Sequence, residues 1–200
     1  MTNLILASSS NIRGQLLRNA GLEFDIVPAG VDETELKKVM STETLSVKGD
    51  DLAEFLAEAK AIEVSQKHPQ SLGIGADQTL QMGTTLYDKA SDLSDARAKL
   101  LALRGNTHVL YSAVTCAKGG QVVWRYVDAA HLTMRNFSAE FLGKYLALLG
   151  DDLLTSVGGY KLESQGAQLF EKISGDYFTI LGMPLLPLLH FLRSQDFLDQ

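Results

Sequence analysis

The sequence predicts an α/β fold built on a mixed β-sheet. Short apolar strand-like runs alternate with helical patterns along most of the chain, and two long β-rich runs flank the pair Gly119-Gly120. The alternation favours parallel strands covered by helices. The glycine pair, which can take positive φ at both turn positions, predicts an antiparallel hairpin. A sheet with both kinds of strand pair is mixed, and a length of 200 residues suits one domain or two closely packed lobes.

In the N-terminal half, we predict strands over 4–7, 24–27 and 72–76 and helices over 11–19 and 51–67. The second helix has the clearest pattern, because Asp51 and Glu54 have the spacing of an N-terminal capping box. Its apolar positions recur at helical spacing, and Pro69 follows its expected end. Strand 72–76 is expected to end just before Asp77 and Gln78.

In the C-terminal half, we predict a short strand pair that turns at Gly83 and helices over 94–103 and 138–149. The predicted hairpin consists of strands 107–117 and 122–134. The segment 158–182 is rich in glycine and polar residues, and no helix or strand is predicted in it. Pro184 then begins a last helix that runs to about residue 193.

Composition and charge exclude several classes of protein. A net charge of −6 and a pI of about 5.2 argue against a nucleic-acid polymer as partner, which needs a basic face, but they allow a small phosphorylated ligand. No apolar run is long enough for a membrane span, and the first residues lack the features of a signal peptide. The single cysteine, Cys116, excludes an internal disulfide and is predicted to be a buried apolar residue. We therefore expect a cytoplasmic protein.

The segment SSSNIR at 8–13 falls between the first predicted strand and the first predicted helix. Backbone N–H groups at a helix start can bind phosphate, and Arg13 could add a bidentate contact. The alternative is ordinary capping of the helix by a serine.

Two acidic positions could hold a metal ion or activate a water molecule. Asp32 and Glu33 form a carboxylate pair, which suits Mg²⁺ together with water and phosphate oxygens. Asp77 follows a predicted buried strand, where α/β proteins often place catalytic groups. The alternatives are a solvated acidic turn at 32–33 and a turn aspartate that caps the next segment at position 77.

Lys60 and Lys89 could join the same site, although each could equally be a surface lysine. The loop at 158–166 is a candidate lid or base-reading loop, or an ordinary connection. The chain has no Gly-x-Ser-x-Gly motif and no P-loop motif, and its four histidines are scattered. These absences argue against a serine hydrolase, a P-loop enzyme and a histidine-based metal site.

Taken in order, these segments resemble the Maf family of nucleoside triphosphate pyrophosphatases, which is related in fold to the inosine triphosphatases. The resemblance covers essentially the whole chain and is carried by LILASSSNIRGQLL, VDET, FLAEAKA, GADQTL, DKASDLSDARAKLLALRGNTHVLYSAV and GGYKLESQGAQLFEKISGDYFTILGMPL. It implies one domain over 1–200, with a strongly twisted mixed sheet flanked by helices and two lobes around a cleft.

The resemblance also implies a reaction and a set of roles. A nucleoside triphosphate would be attacked at the α-phosphorus, releasing a nucleoside monophosphate and pyrophosphate, and Asp77 would activate the water. The implied cofactor is a divalent cation, Mg²⁺ or Mn²⁺, and the implied assembly is a homodimer. The residues implied are Ser8, Ser10, Arg13, Lys60 and Lys89 for the triphosphate, Glu33 and Asp77 for the metal, and Ile12, Gln78 and Glu163 for the choice of base.

The chain departs from the family pattern at two places. Many members read Ser-Pro-Arg-Arg-Arg after the first strand, whereas this chain keeps only Arg13 of the three arginines. The subgroup associated with dTTP and UTP has glutamine where this chain has Glu163, which accepts hydrogen bonds only. An acceptor favours a guanine-type base, such as that of 7-methyl-GTP, although Ile12 replaces the aromatic residue of that subgroup.

Two other functions are compatible with the same sequence. A nucleotide-binding regulator of cell division or septum formation would need the cationic residues but not the water-activating role of Asp77. A general phosphatase would release orthophosphate instead of pyrophosphate. Turnover and product identity therefore separate the three functions.

Overall fold

The computed structural model describes residues 3–43 and 47–199, and these residues build one seven-stranded sheet with helices packed against it. The strands are β1 (Leu4–Leu6), β2 (Asp25–Ile26), β3 (Leu72–Met82), β4 (Thr85–Tyr87), β5 (Thr107–Lys118), β6 (Gln121–Met134) and β7 (Phe170–Ser174). The α-helices are α1 (Asn11–Asn19), α2 (Glu33–Glu43), α3 (Gly49–Lys67), α4 (Leu93–Leu103), α5 (Ala139–Leu149), α6 (Tyr177–Ile180) and α7 (Leu185–Ser194). Two 3₁₀ helices span Gly150–Thr155 and Gln165–Leu169.

The sheet is mixed, as the sequence predicts. Its order is β2-β1-β3-β5-β6-β7, with β4 added to β3. Strand β1 is parallel to both β2 and β3, whereas every pair from β3 to β7 is antiparallel. The predicted hairpin is confirmed, because β5 and β6 turn at Gly119 and Gly120, whose φ angles are +56° and +81°.

Strand β3 has a gap along one edge. Strand β5 covers the other edge continuously from Leu72 to Gln81. On the open side, β1 pairs with Leu72–Ile74 and β4 pairs only with residues 80–82. On this edge, residues 75–79 of β3 therefore have no paired strand, because the pairing with β1 ends before them and the pairing with β4 begins after them. This unpaired stretch contains Asp77 and Gln78.

Helix α3 packs unusually close to β3 at this point. A Cβ on Gly75 would lie 2.1 Å from the carbonyl oxygen of Ala57 and 2.6 Å from the amide nitrogen of Ala61, so only glycine fits there. Ala57 and Ala61 are themselves fully buried. The small residues on both elements let the helix approach the strand and bring Lys60 beside the gap.

Among the described residues, the apolar core has two large clusters and two small ones, and the two large clusters form the two lobes expected from the resemblance. The first cluster joins β1, α1, the start of β3 and α7, with Leu6, Leu17, Ile74 and Leu188 at its centre. The second joins α4, α5 and the far halves of β5 and β6, with Leu100, Leu110, Leu132 and Leu142 at its centre. Cys116 is buried in the first cluster, as predicted, and burial raises the pKa of its thiol.

Two expectations about local structure are wrong. Strand β3 continues to Met82, so Asp77 lies within the strand rather than after it, because β5 pairs with this whole stretch. The capping box at Asp51 and Glu54 is absent, since α3 begins at Gly49. Hydrogen bonds fix this earlier start: the Gly49 amide donates to Gln81 Oε1 at 2.8 Å, and Thr79 Oγ1 donates to the Gly49 carbonyl at 2.7 Å.

No element was predicted in segment 158–182, which contains the second 3₁₀ helix, β7 and α6. Helix α2 was not predicted at all. Asp32 begins it by accepting hydrogen bonds from the amides of Thr34 at 2.9 Å and Glu35 at 3.0 Å. Across the described ranges, no helix has the length and apolarity needed to cross a bilayer.

Candidate active site

A cleft of about 850 Å³ lies between the two lobes, at the gap in the edge of β3. Its walls come from the segment after β1, the start of α2, the exposed stretch of β3, the segment after β4 and the loop at 156–163. All ten residues predicted to act on the substrate or the metal line it: Ser8, Ser10, Ile12, Arg13, Glu33, Lys60, Asp77, Gln78, Lys89 and Glu163. The fold therefore brings together residues that are up to 155 positions apart in the sequence.

A buried ammonium group holds two carboxylates at the centre of the cleft. Lys60 Nζ lies 2.5 Å from Asp77 Oδ1 and 2.6 Å from Glu33 Oε1. Lys60 and Asp77 are both buried, whereas Glu33 is more exposed. Burial alone would raise the pKa of Glu33, but the hydrogen bond and charge of Lys60, with the charges of Lys37 and Lys89, hold it below its ordinary value. Glu33 is therefore a carboxylate at neutral pH.

The two carboxylates fit a magnesium ion that arrives with a polyphosphate. Mg²⁺ usually takes one or two carboxylates and completes its coordination with water and phosphate oxygens. Glu33 and Asp77 converge on one point of the cleft, where Lys60 Nζ now binds both. The described part of the chain offers no cluster of three or more acidic, histidine or cysteine ligands. The donor set therefore suits a metal shared with the substrate rather than one enclosed by protein alone.

Arg13 connects three segments around the cleft. Its Nε donates to the Gly182 carbonyl at 2.8 Å, and its Nη1 donates to the Ala76 carbonyl at 2.8 Å and to Ser8 Oγ at 3.3 Å. Burial lowers the pKa of Arg13, while the nearby charges of Asp77 and Glu33 act in the opposite direction. Only Nη2 makes no hydrogen bond to the described residues, so the guanidinium has one nitrogen left for a ligand.

The serines at the start of α1 do not cap the helix with their side chains. Ser10 occupies the N-cap position, yet its hydroxyl makes no capping hydrogen bond. Ser8 Oγ instead accepts hydrogen bonds from the Ser10 amide at 3.3 Å and from Arg13. The first amides of α1 are therefore not occupied by a serine cap.

Gln78 is oriented by the protein so that its oxygen is left for a ligand. Its Nε2 lies 3.0 to 3.1 Å from Ser112 Oγ and from the carbonyls of Thr179 and Ile180. Ser112 donates its own hydrogen to the Thr179 carbonyl at 2.7 Å, so its oxygen accepts from the amide. Gln78 Oε1 is consequently an acceptor at the cleft, 3.7 Å from where a Cβ on Gly182 would lie. Asp77 and Gln78 point to opposite faces of β3. Both reach the cleft because this stretch of β3 has no strand paired to its open edge.

Lys89 is exposed, and its ammonium group forms no ion pair within the described residues. Glu163 is exposed on the 156–163 loop, and Ile12 packs partly against the first apolar cluster. All three side chains are therefore accessible from the cleft.

Four further charged residues line the cleft and were not among the sequence-based candidates. Lys37 forms an ion pair with Asp88, and Lys161 Nζ lies 2.9 Å from Asp152 Oδ1. Lys161 could have been found, since it lies two positions before Glu163 in the loop that was predicted to read the base. Lys37 gave no signal, because helix α2 was not predicted.

Proteins of known family are similar to nearly the whole chain. The 7-methyl-GTP pyrophosphatase of Brucella abortus is 47% identical over 98% of both chains. Nucleoside triphosphate pyrophosphatases of Caulobacter vibrioides and Granulibacter bethesdensis are 51% and 50% identical over 96% and 95% of both chains. The family model described as Maf-like protein matches residues 3–195, and the chain belongs to that family.

Proposed function

We propose that this protein hydrolyses a nucleoside triphosphate to a nucleoside monophosphate and pyrophosphate with the help of a divalent cation. The observation that carries the proposal is the Asp77–Lys60–Glu33 cluster, in which Asp77 and Lys60 are buried, in a cleft large enough for a nucleotide. The names of relatives at about 50% identity over nearly the whole chain support the same reaction.

Asp77 is the group best placed to activate the attacking water. Lys60 occupies Oδ1, so Oδ2, which forms no hydrogen bond with the described residues, is available to orient a water molecule and take its proton. The water oxygen forms a bond to the α-phosphorus while the bond to the β-phosphate oxygen breaks. Pyrophosphate then leaves with that oxygen, and the nucleoside monophosphate keeps the oxygen from water.

Charge neutralisation is the larger task in such a displacement, since the transition state needs little covalent chemistry from the protein. Among the described residues, Lys89 has no carboxylate partner and Arg13 keeps one nitrogen unbonded, so both can contact phosphate oxygens. Ser8, Ser10 and the amides at the start of α1 add uncharged donors at the same end of the cleft. These residues would hold the triphosphate in line with the water.

Glu33 and Asp77 would hold the divalent cation, Mg²⁺ or Mn²⁺, which supplies positive charge to the phosphate oxygens. Lys60 now occupies the position between the two carboxylates. A bound metal would have to share these carboxylates with Lys60. The ammonium therefore serves as the counter-charge that keeps Glu33 and Asp77 together before substrate binds.

For the base, we propose a guanine-type preference. Gln78 Oε1 and the carboxylate of Glu163 both accept hydrogen bonds, and both line the cleft. Guanine offers an N1–H and an amino group as donors, whereas thymine and uracil offer a single N–H. Ile12 supplies an apolar contact but no aromatic ring to stack on a methylated, cationic base.

A substrate panel tests both parts of the proposal. The protein is incubated with Mg²⁺ and GTP, 7-methyl-GTP, dTTP or UTP, and pyrophosphate and orthophosphate are measured separately. We expect pyrophosphate as the phosphorus-containing leaving group and the highest kcat/KM with a guanine nucleotide. Orthophosphate as the first product would contradict the reaction, a preference for dTTP would contradict the base assignment, and binding without turnover would favour the regulatory function.

A further inference from the structure

Tyr160 is a buried aromatic residue within the loop that borders the cleft. It belongs to the loop at 156–163, which we call the selectivity loop because it carries Glu163. Although its neighbours Lys161 and Glu163 line the cleft with more exposed side chains, Tyr160 is only 6% exposed. The loop is therefore attached to the core of the second lobe through this side chain.

The hydroxyl of Tyr160 meets a histidine that the proposed reaction does not use. Tyr160 Oη lies 2.6 Å from His108 Nε2, and His108 is completely buried on β5. His108 Nδ1 is buried and has no partner in the described part of the chain, so within those residues the bond to Tyr160 is the one hydrogen bond of this imidazole. Phe170 packs edge-on against the Tyr160 ring, with 4.8 Å between ring centroids. A buried polar pair in such a site is costly to separate.

The backbone on both sides of Tyr160 is fixed as well. Ser156 Oγ accepts from the Tyr160 amide at 3.0 Å and donates to the Tyr160 carbonyl at 2.9 Å. A Cβ on Gly158 would lie 2.2 Å from the Tyr160 ring, so the ring folds back over a position that only glycine can occupy. Gly159 has a φ of +66°, which turns the chain between them. The loop is thus built around Tyr160.

The position of Tyr160 controls the position of charged groups in the cleft. Lys161 follows directly and is paired with Asp152 at 2.9 Å, and Glu163 is three residues from Tyr160. A Cβ on Gly166 would lie 2.4 Å from the Lys161 carbonyl, which closes the loop tightly on its other side. A shift of Tyr160 would move Lys161 and Glu163 with it.

We propose that the buried Tyr160–His108 hydrogen bond positions the selectivity loop and thereby sets the preference of the enzyme for one base over another. This inference rests on the proposed function. Tyr160 and His108 are positioning residues, since they act through Glu163 and Lys161. They are expected to affect discrimination between bases and to leave the reaction at the phosphate unchanged.

The test uses Tyr160→Phe, which removes the hydroxyl and keeps the ring. We expect a folded variant in which the ratio of kcat/KM for the preferred nucleotide to that for the least preferred falls about fivefold, the factor expected from one buried hydrogen bond. Most of the change should appear in KM. Turnover of methyl triphosphate, which has no base, should remain at the wild-type rate.

Two further variants separate positioning from general destabilisation. His108→Gln keeps a side-chain amide able to bond the Tyr160 hydroxyl and should retain most of the wild-type ratio. Ile74→Val removes one buried methylene from the first apolar cluster, away from the loop, and should lower Tm without changing the ratio.

Three results would overturn the inference. The first is a Tyr160→Phe variant with a lower Tm but the wild-type ratio. The second is a folded Tyr160→Phe variant that also loses turnover of methyl triphosphate. The third would come from calorimetry with non-hydrolysable nucleotide analogues. It is a ratio of affinities for the preferred and least preferred nucleotides that is the same in the wild type and in the variant. Because calorimetry needs no turnover, it tests the inference even if the wild type releases no pyrophosphate, which would instead refute the proposed function.

Discussion

Lys60 Nζ on α3 and Asp77 Oδ1 on β3 lie 2.5 Å apart, and both side chains are about nine-tenths buried. The pair forms where the helix approaches the strand most closely, since Gly75 lies two residues before Asp77 on the same face of β3. The packing of α3 on the sheet and the geometry of the acidic cluster are therefore parts of one arrangement.

Asp77→Asn should reduce pyrophosphate release by a factor of about 10²–10⁴, the usual range for loss of a general base. The fold should survive, because Lys60 keeps its ion pair with Glu33. Initial rates measured at saturating nucleotide and Mg²⁺ test this, with circular dichroism to confirm folding. Asp88→Asn is a matched control, since Asp88 also lines the cleft and also pairs with a lysine. Equal losses in the two variants would contradict a special role for Asp77.

Gly75→Ala should destabilise the protein by about 1–3 kcal/mol, because the added methyl would overlap the backbone of α3. It should also reduce activity, since α3 can move away only by carrying Lys60 with it. Urea unfolding and initial rates measure the two effects. Gly143→Ala is the opposite case. Gly143 is an exposed position of α5 with open space around it, so the substitution should stabilise the protein by about 1 kcal/mol and leave activity unchanged. A fully stable, fully active Gly75→Ala protein would contradict this account of the helix contact.

The sequence predicts the layers of the fold better than the ends of its elements. The glycine pair at 119–120 and the alternating apolar runs identify the hairpin and the mixed sheet, because both signals are local. The end of β3 could not be predicted, since it is fixed by pairing with β5, which is distant in the chain. The start of α3 was misplaced for the same reason: Gln81 and Thr79 fix Gly49 from the sheet, whereas Asp51 only had the spacing of a cap.

Stability should decrease as the pH falls from about 6.5 to about 4, because burial lowers the pKa of His108 to about 4. In this window the unfolded chain binds a proton that the folded protein excludes, so protonation favours unfolding. The full shift corresponds to about 3 kcal/mol. Urea unfolding at several pH values measures the slope, and His108→Gln, which cannot titrate there, should show a smaller slope. An equal slope in both proteins would mean that His108 does not contribute.

Removal of divalent cations should abolish pyrophosphate release without unfolding the protein. Lys60 already bridges Glu33 and Asp77 and offsets part of their negative charge, so the fold does not depend on a metal to hold the two carboxylates together. EDTA treatment followed by thermal unfolding should leave Tm nearly unchanged, and adding Mg²⁺ or Mn²⁺ should restore the rate. A large fall in Tm with EDTA would indicate a structural metal instead.

For the site, the sequence identified residue types and their order but not their partners. Arg13 was expected to contact phosphate with two nitrogens, whereas the structure uses its Nε and Nη1 for the carbonyls of Gly182 and Ala76. Gln78 was a specificity candidate, but the direction of its amide depends on Ser112 and on α6, which no local pattern indicates. Such contacts between distant segments exist only in the folded chain.

The central claim is that water activated by Asp77 attacks the α-phosphorus, and oxygen labelling tests it most directly. Hydrolysis of the preferred nucleotide in ¹⁸O-water, followed by mass spectrometry of both products, locates the bond that breaks. The account predicts one ¹⁸O atom in the nucleoside monophosphate and none in pyrophosphate. Label in pyrophosphate, or in orthophosphate formed as the first product, would contradict it.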